Sequence, residues 1–218
     1  KVQQAAQQTA SLLGGDWSKL TVDRLKSLLS HADYRVRLES QLELVSREDC
    51  IPFAEVLEES DNLLAQLHSL WGMGILARHG IFETEIKNAL PDYLSEDYPV
   101  ELRAQVLNLL GDLQVKSAED VILSQITADD SRLKFFAAKS LGKINSQKAM
   151  PAYISLLDEN QDQDPVLRHA GVMGLVGTND VDQLVELKDH ASRSVRIAAV
   201  VALRRLASPS IAAFLQDT

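Results

Sequence analysis

LKFFAAKSLGKI, residues 133–144, decides the fold: aliphatic Leu133 is followed at once by basic Lys134, and apolar residues return at Ala137, Leu141 and Ile144. Steps of four, four and three keep to the 3.6-residue period of a helix with one apolar face. The same opening recurs as Val36-Arg37, Leu67-His68, Leu102-Arg103, Leu133-Lys134, Leu167-Arg168 and Val195-Arg196, with the anchors 31, 35, 31, 34 and 28 residues apart. A period of about 32 residues is that of a helical repeat array.

Between successive anchors lies a second, shorter helical pattern, at 22–30, 52–59, 83–94, 118–126, 149–157 and 181–188. No stretch alternates with period two for long enough to be a strand. The repeating unit is therefore a helical hairpin, outer helix then inner helix. The predicted fold is all-α: a right-handed α-α superhelix, an α-solenoid of about six hairpins over 22–207. It is expected to be one domain without an interior boundary, because each repeat covers its neighbours. Residues 1–21 form an N-terminal lead-in, and 208–218 begin a further helix or cap. Pro52, Pro99 and Pro165 stand where a first-turn proline is tolerated. Asp33, Asp97, Asp130 and Asp164 precede the anchors, where a carboxylate caps free backbone N–H groups. Pro91 is expected to kink or end an outer helix. His31 and His190, five residues before an anchor, are expected to bond the last carbonyls of an outer helix.

Composition narrows the function classes. Hydrophobic residues make up 45% of the chain and aromatics 5%, a balance that suits packed helices. The formal charge of −9 opposes a phosphate backbone, since nucleic-acid affinity is built from Lys and Arg. No apolar run approaches the length of a membrane span. Cys50 is the only cysteine, which excludes an internal disulfide and any CxxC or haem-attachment motif within this sequence. A start at Lys1 without Met predicts a segment of a longer polypeptide.

Helical hairpins with an aliphatic-Arg pair opening the second helix, and Asp in the turn before it, resemble HEAT repeats of the kind found in phycobilisome-lyase-like proteins. The resemblance covers about residues 22–207. More narrowly, Leu28-Leu29-Ser30-His31-Ala32-Asp33 with Val36-Arg37, Gln41 and Leu44, then Leu67-His68-Ser69-Leu70-Trp71, is similar to the HEAT segment of large secreted bacterial proteins. There it lies between a propeller-like sugar-dehydrogenase domain and a cytochrome c domain. That resemblance implies a periplasmic or secreted setting. This chain carries neither a propeller-like stretch nor a haem-attachment motif, so redox chemistry would belong to sequence outside it.

Motifs that suggest chemistry have plainer explanations. Gly72-Met73-Gly74-Ile75-Leu76-Ala77 has the GxGxxA form, but its glycines fall inside a helix with no strand before it, so no dinucleotide site is expected. Gly171, Gly174 and Gly177 are expected to let helices approach closely. Five histidines form no HExxH or paired His-Glu motif, so no metal is expected. Residues 158–164 look like a calcium loop, but Gln163 stands at the glycine position and His169 at the bidentate glutamate position. Cys50 reads as a partly buried thiol. No cofactor site and no catalytic residue is predicted.

Two sets of positions remain. Arg37, His68, Arg103, Lys134, Arg168 and Arg196 form a structural ladder, bonding turn carboxylates and carbonyls. Positions −1, +3, +6 and +10 from each anchor line the concave face, with Leu70, Met73 and Phe136 as apolar anchors and Arg132, Lys139 and Lys143 selecting an acidic stretch. The expected function is a non-catalytic interaction scaffold, binding a protein or a neighbouring domain of the same polypeptide, with no nucleic acid and no metal. The alternative is a HEAT-like lyase or another enzyme module that binds a small molecule in the groove.

Overall fold

The computed structural model describes the backbone of residues 2–216 and the side chains of residues 6–215, and these residues form helices and turns with no strand. Lys1, Asp217 and Thr218, at the outer ends of the expected lead-in and cap, lie outside the described residues. Packing groups the chain into two units, Lys1–Leu90 and Pro91–Thr218. The expectation of one body without an interior boundary thus meets a division at Pro91. There the outer helix Glu83–Ala89 passes into a 3-10 turn, Leu90–Leu94. A proline lacks the N–H that would continue the helical ladder, and its ring crowds the carbonyl four residues back.

In the first unit, α1 (Val2–Leu13) and a 3-10 turn (Trp17–Lys19) precede two hairpins. These pair α2 (Val22–Leu28) with α3 (Tyr34–Ser46), and α4 (Ile51–Glu59) with α5 (Leu63–Arg78); α6 (Glu83–Ala89) packs on α5. Leu25, Leu28, Leu29, Val36, Leu44, Phe53, Leu57 and Leu76 are buried between them. Gly72 meets the Phe53 ring so closely that a Cβ there would stand 2.4 Å from it. The GxGxxA stretch is therefore a helix contact.

The second unit repeats the hairpin with α7 (Val100–Asp112), α8 (Glu119–Gln125), α9 (Ser131–Lys143), α10 (Met150–Asn160), α11 (Pro165–Thr178), α12 (Val181–Glu186) and α13 (Arg193–Arg205). The inner helices α7, α9, α11 and α13 pack side by side in series. Small residues bring them together: the Ser140 hydroxyl donates to the Leu107 carbonyl at 2.6 Å, and a Cβ on Gly177 would stand 2.2 Å from the Gly142 carbonyl oxygen. The chain closes on a 3-10 segment, Pro209–Gln216, rather than on a further α-helix.

Each anchor falls in the first turns of an inner helix and is buried. Asp33, Asp130 and Asp164 accept backbone N–H bonds at the starts of α3, α9 and α11. Asp97 does not. Pro99 holds the cap position of α7, and the Asp97 carboxylate accepts the Ser95 hydroxyl instead. Pro52 and Pro165 sit in first turns as expected.

Candidate functional site

The inner helices of the second unit carry the expected strip, and the structure shows how it is wired. Arg132 bridges to Glu101 at 2.5 Å, Lys139 donates to the Asn108 amide oxygen at 2.9 Å, and Lys143 pairs with Asp112. All three pairs are separated by 31 residues, the interval between Leu102 and Leu133. They are rungs between the same positions of neighbouring repeats. Phe136 serves the same strip: the Arg132 guanidinium lies 5.2 Å from its ring centre and the Lys139 ammonium 5.6 Å, with Phe135 edge-on at 5.0 Å. The ring is half-buried and holds two cations in place, since the face of an aromatic ring attracts positive charge.

Lys139 differs from its neighbours. Its partner is a neutral amide, and burial together with the adjacent Lys143 charge lowers its pKa, against the pull of Asp112. Arg132 and Lys143, by contrast, reach carboxylates.

Beside this strip, between α9 and α11, opens a groove of about 400 Å³. Its floor includes Gly142, Ala170 and Gly177, where missing or small side chains leave room. Phe135, Met173 and Val176 form apolar walls, and Lys139, Lys143 and His169 supply the polar rim. A second groove of about 410 Å³ lies between α11 and α13, with Val172, Ile197 and Val201 as walls and Arg168 and Arg205 at the rim. His169 borders both. The residues lining the two grooves include no carboxylate.

Two predicted anchors are not on a surface. Leu70 is fully buried and Met73 is 3% exposed, so both belong to the core of the first unit. The +3 and +6 positions are half-buried on α9, at Phe136 and Lys139, and on α11 only +6, Met173, stays half-buried; on α5 both are covered, because its buried positions extend almost all round the helix. Phe135 and His169, two positions after their anchors, were not among the expected site residues.

The six ladder residues divide into three kinds. Arg37 donates to the carbonyls of His31 and Ala32 at 2.6 and 3.0 Å, and Arg196 to those of His190 and Ala191 at 2.8 and 3.1 Å. Each clamps the turn before its own helix. His31 and His190 complete the same turns through Nδ1, which accepts the backbone N–H of Asp33 and of Ser192. The rings therefore cap the following turn rather than bond the carbonyls of the preceding helix. Arg103 reaches the next hairpin, donating to Gln125 at 2.9 Å, while Lys134 and Arg168 lie 3.8 Å from Glu159 and Asp162. His68 is buried: its Nε2 accepts from Arg37 at 3.2 Å, so the proton rides on Nδ1, which faces Gln41 Oε1 at 2.8 Å. Burial, with Arg37 beside it, holds its pKa down at about 4.

Among the described residues no cluster of three His, Cys, Asp or Glu side chains could hold a metal ion, and no helix is long and apolar enough to cross a membrane. In the segment resembling a calcium loop, Asp164 caps α11 and Asp162 faces Arg168. Cys50 is half-buried, and burial, assisted by Asp49, pushes its thiol pKa up.

Residues 88–175 match the family model of HEAT repeats, a stretch that runs from the end of α6 into α11 and includes α9 and the first groove's α9 wall. Helical hairpins packed in series, with no strand among the described residues, have the architecture of a HEAT-like α-solenoid. HEAT repeats are commonly protein-interaction scaffolds. No curated protein matches the chain significantly.

Proposed function

We propose that this chain is a non-catalytic interaction module, and that the inner-helix face of α9, α11 and α13 holds a segment of a protein partner or of a neighbouring domain of the same polypeptide. The observation that carries this reading is the pair of grooves on either side of α11, with apolar walls and cationic rims, beside a strip on α9 where Arg132 and Lys143 pair with Glu101 and Asp112. Side-by-side helices with open apolar grooves accept a chain segment through anchoring side chains. The resemblance to secreted dehydrogenase and cytochrome c proteins makes the flanking domains of the full-length polypeptide the first partners to try.

Calorimetric titration of those flanking domains with wild type, Phe136→Ala and Lys139→Glu tests the reading. Losing the ring that holds Arg132 and Lys139 in place weakens the complex by about 1 to 3 kcal/mol, as for a truncated interface anchor. A complex that forms and is unaffected by both changes places the contact elsewhere on the molecule.

A further inference from the structure

Within that reading, we infer that the α9–α11 groove selects an extended acidic segment: a carboxylate of the partner meets Lys139, and a bulky apolar side chain beside it enters the recess of Phe135, Ala170, Met173, Val176 and Gly177. Three observations carry the inference. Lys139 is a half-buried ammonium bonded to an amide, so a partner carboxylate can add a charge-assisted bond without displacing an ion pair. Its position is preset by Asn108 and by the Phe136 ring, which lowers the cost of ordering a long side chain on binding. The lining of this groove includes Lys139, Lys143 and His169 and no carboxylate, and the neighbouring α11–α13 groove adds Arg168 and Arg205, although the whole chain bears −9. Positive charge pooled on an otherwise acidic molecule speeds encounter with acidic segments and repels basic ones.

The recess suits an aliphatic or aromatic side chain. Gly142 and Gly177 bring the α9 and α11 backbones together at its floor, and Met173 adapts its shape to what enters. A carboxylate next to an apolar residue in an extended chain would place the charge at the rim and the apolar group in the recess.

The test is fluorescence anisotropy with three labelled octapeptides, alternating leucine with glutamate, with glutamine or with phosphoserine, titrated into the intact chain. The glutamate peptide is expected to bind, the glutamine peptide at least about tenfold more weakly, and raising salt from about 50 to 300 mM to weaken binding by several-fold. Lys139→Met, which keeps the stem and removes the charge, is expected to lower affinity about tenfold, and Met173→Glu to abolish it. Lys188→Met, outside the groove, is the control and leaves binding unchanged. Equal binding of the glutamate and glutamine peptides, binding indifferent to Lys139→Met in a variant that melts like wild type, or tighter binding of the phosphoserine peptide each overturns the inference. So does no binding by any of the three. If the flanking domains bind and respond to Phe136→Ala while these peptides fail, the acidic-segment inference falls and the interaction-module reading stands.

Discussion

Arg37 and Arg196 show what the basic residue of the repeat does when it is fully used. Each bonds two carbonyls of the turn before its own helix, in turns that share the pattern His-Ala-x-x-x-Val-Arg. Removing Arg37 leaves two part-buried carbonyls and the buried His68 short of a donor, so Arg37→Ala is expected to cost about 1 to 3 kcal/mol in urea unfolding. Arg168→Ala, at an exposed position 3.8 Å from its carboxylate, is expected to cost under about 1 kcal/mol. Equal losses for the two would deny the turn clamp. His68 adds a pH dependence. Its folded pKa of about 4 lies below the ordinary 6.5, so the unfolded chain takes up the proton first as pH falls. Stability is lost between those two values, by about 3 kcal/mol in all, and acidification below the window adds nothing further from this ring. His68→Gln is expected to be less stable than wild type at neutral pH, with the gap narrowing as the pH is lowered to about 4.5. A gap of constant size in urea midpoints would show that the ring titrates normally in the fold.

At the scale of the helix, the decisive contacts are close approaches rather than ion pairs. Gly174 faces the Tyr153 ring, where a Cβ would come within 2.2 Å, and Gly177 faces the Gly142 backbone at the same distance. A ring can tilt; a backbone carbonyl in a packed helix moves only if α9 and α11 separate. Gly174→Ala is therefore expected to destabilise by about 1 to 3 kcal/mol, and Gly177→Ala by more, while also opening the groove floor. Thermal melts that rank the two the other way would contradict this account of helix spacing. Leu203, fully buried in α13, sets the comparison: Leu203→Ala is expected to cost about 2 to 5 kcal/mol through lost contacts and a cavity.

For the whole molecule the governing quantity is charge. At −9 overall, with Arg132, Lys134, Lys143 and Lys148 each facing a carboxylate, the charge balance opposes a phosphate backbone. Band-shift titration with DNA or RNA at physiological salt is expected to show no affinity tighter than about 10 μM. Sub-micromolar, salt-sensitive binding would overturn both that expectation and the assignment of the groove cations to an acidic protein segment.

What the sequence determined by itself is the helical hairpin and its repetition. The anchors Val36 through Val195, the capping aspartates at 33, 130 and 164 and the break at Pro91 are local signals, governed by helix period, free N–H groups and the missing proline donor. What only the tertiary structure decided is which side of each inner helix stays open. Leu70 and Phe136 occupy the same position after their anchors, yet one is in the core and the other on the strip. A helical wheel ranks faces of an isolated helix, whereas burial depends on how far the neighbouring helices reach around it. The groove likewise required two helices at once: its walls come from α9 and α11, and its depth comes from glycines 35 residues apart, Gly142 and Gly177, whose contact no local pattern announces.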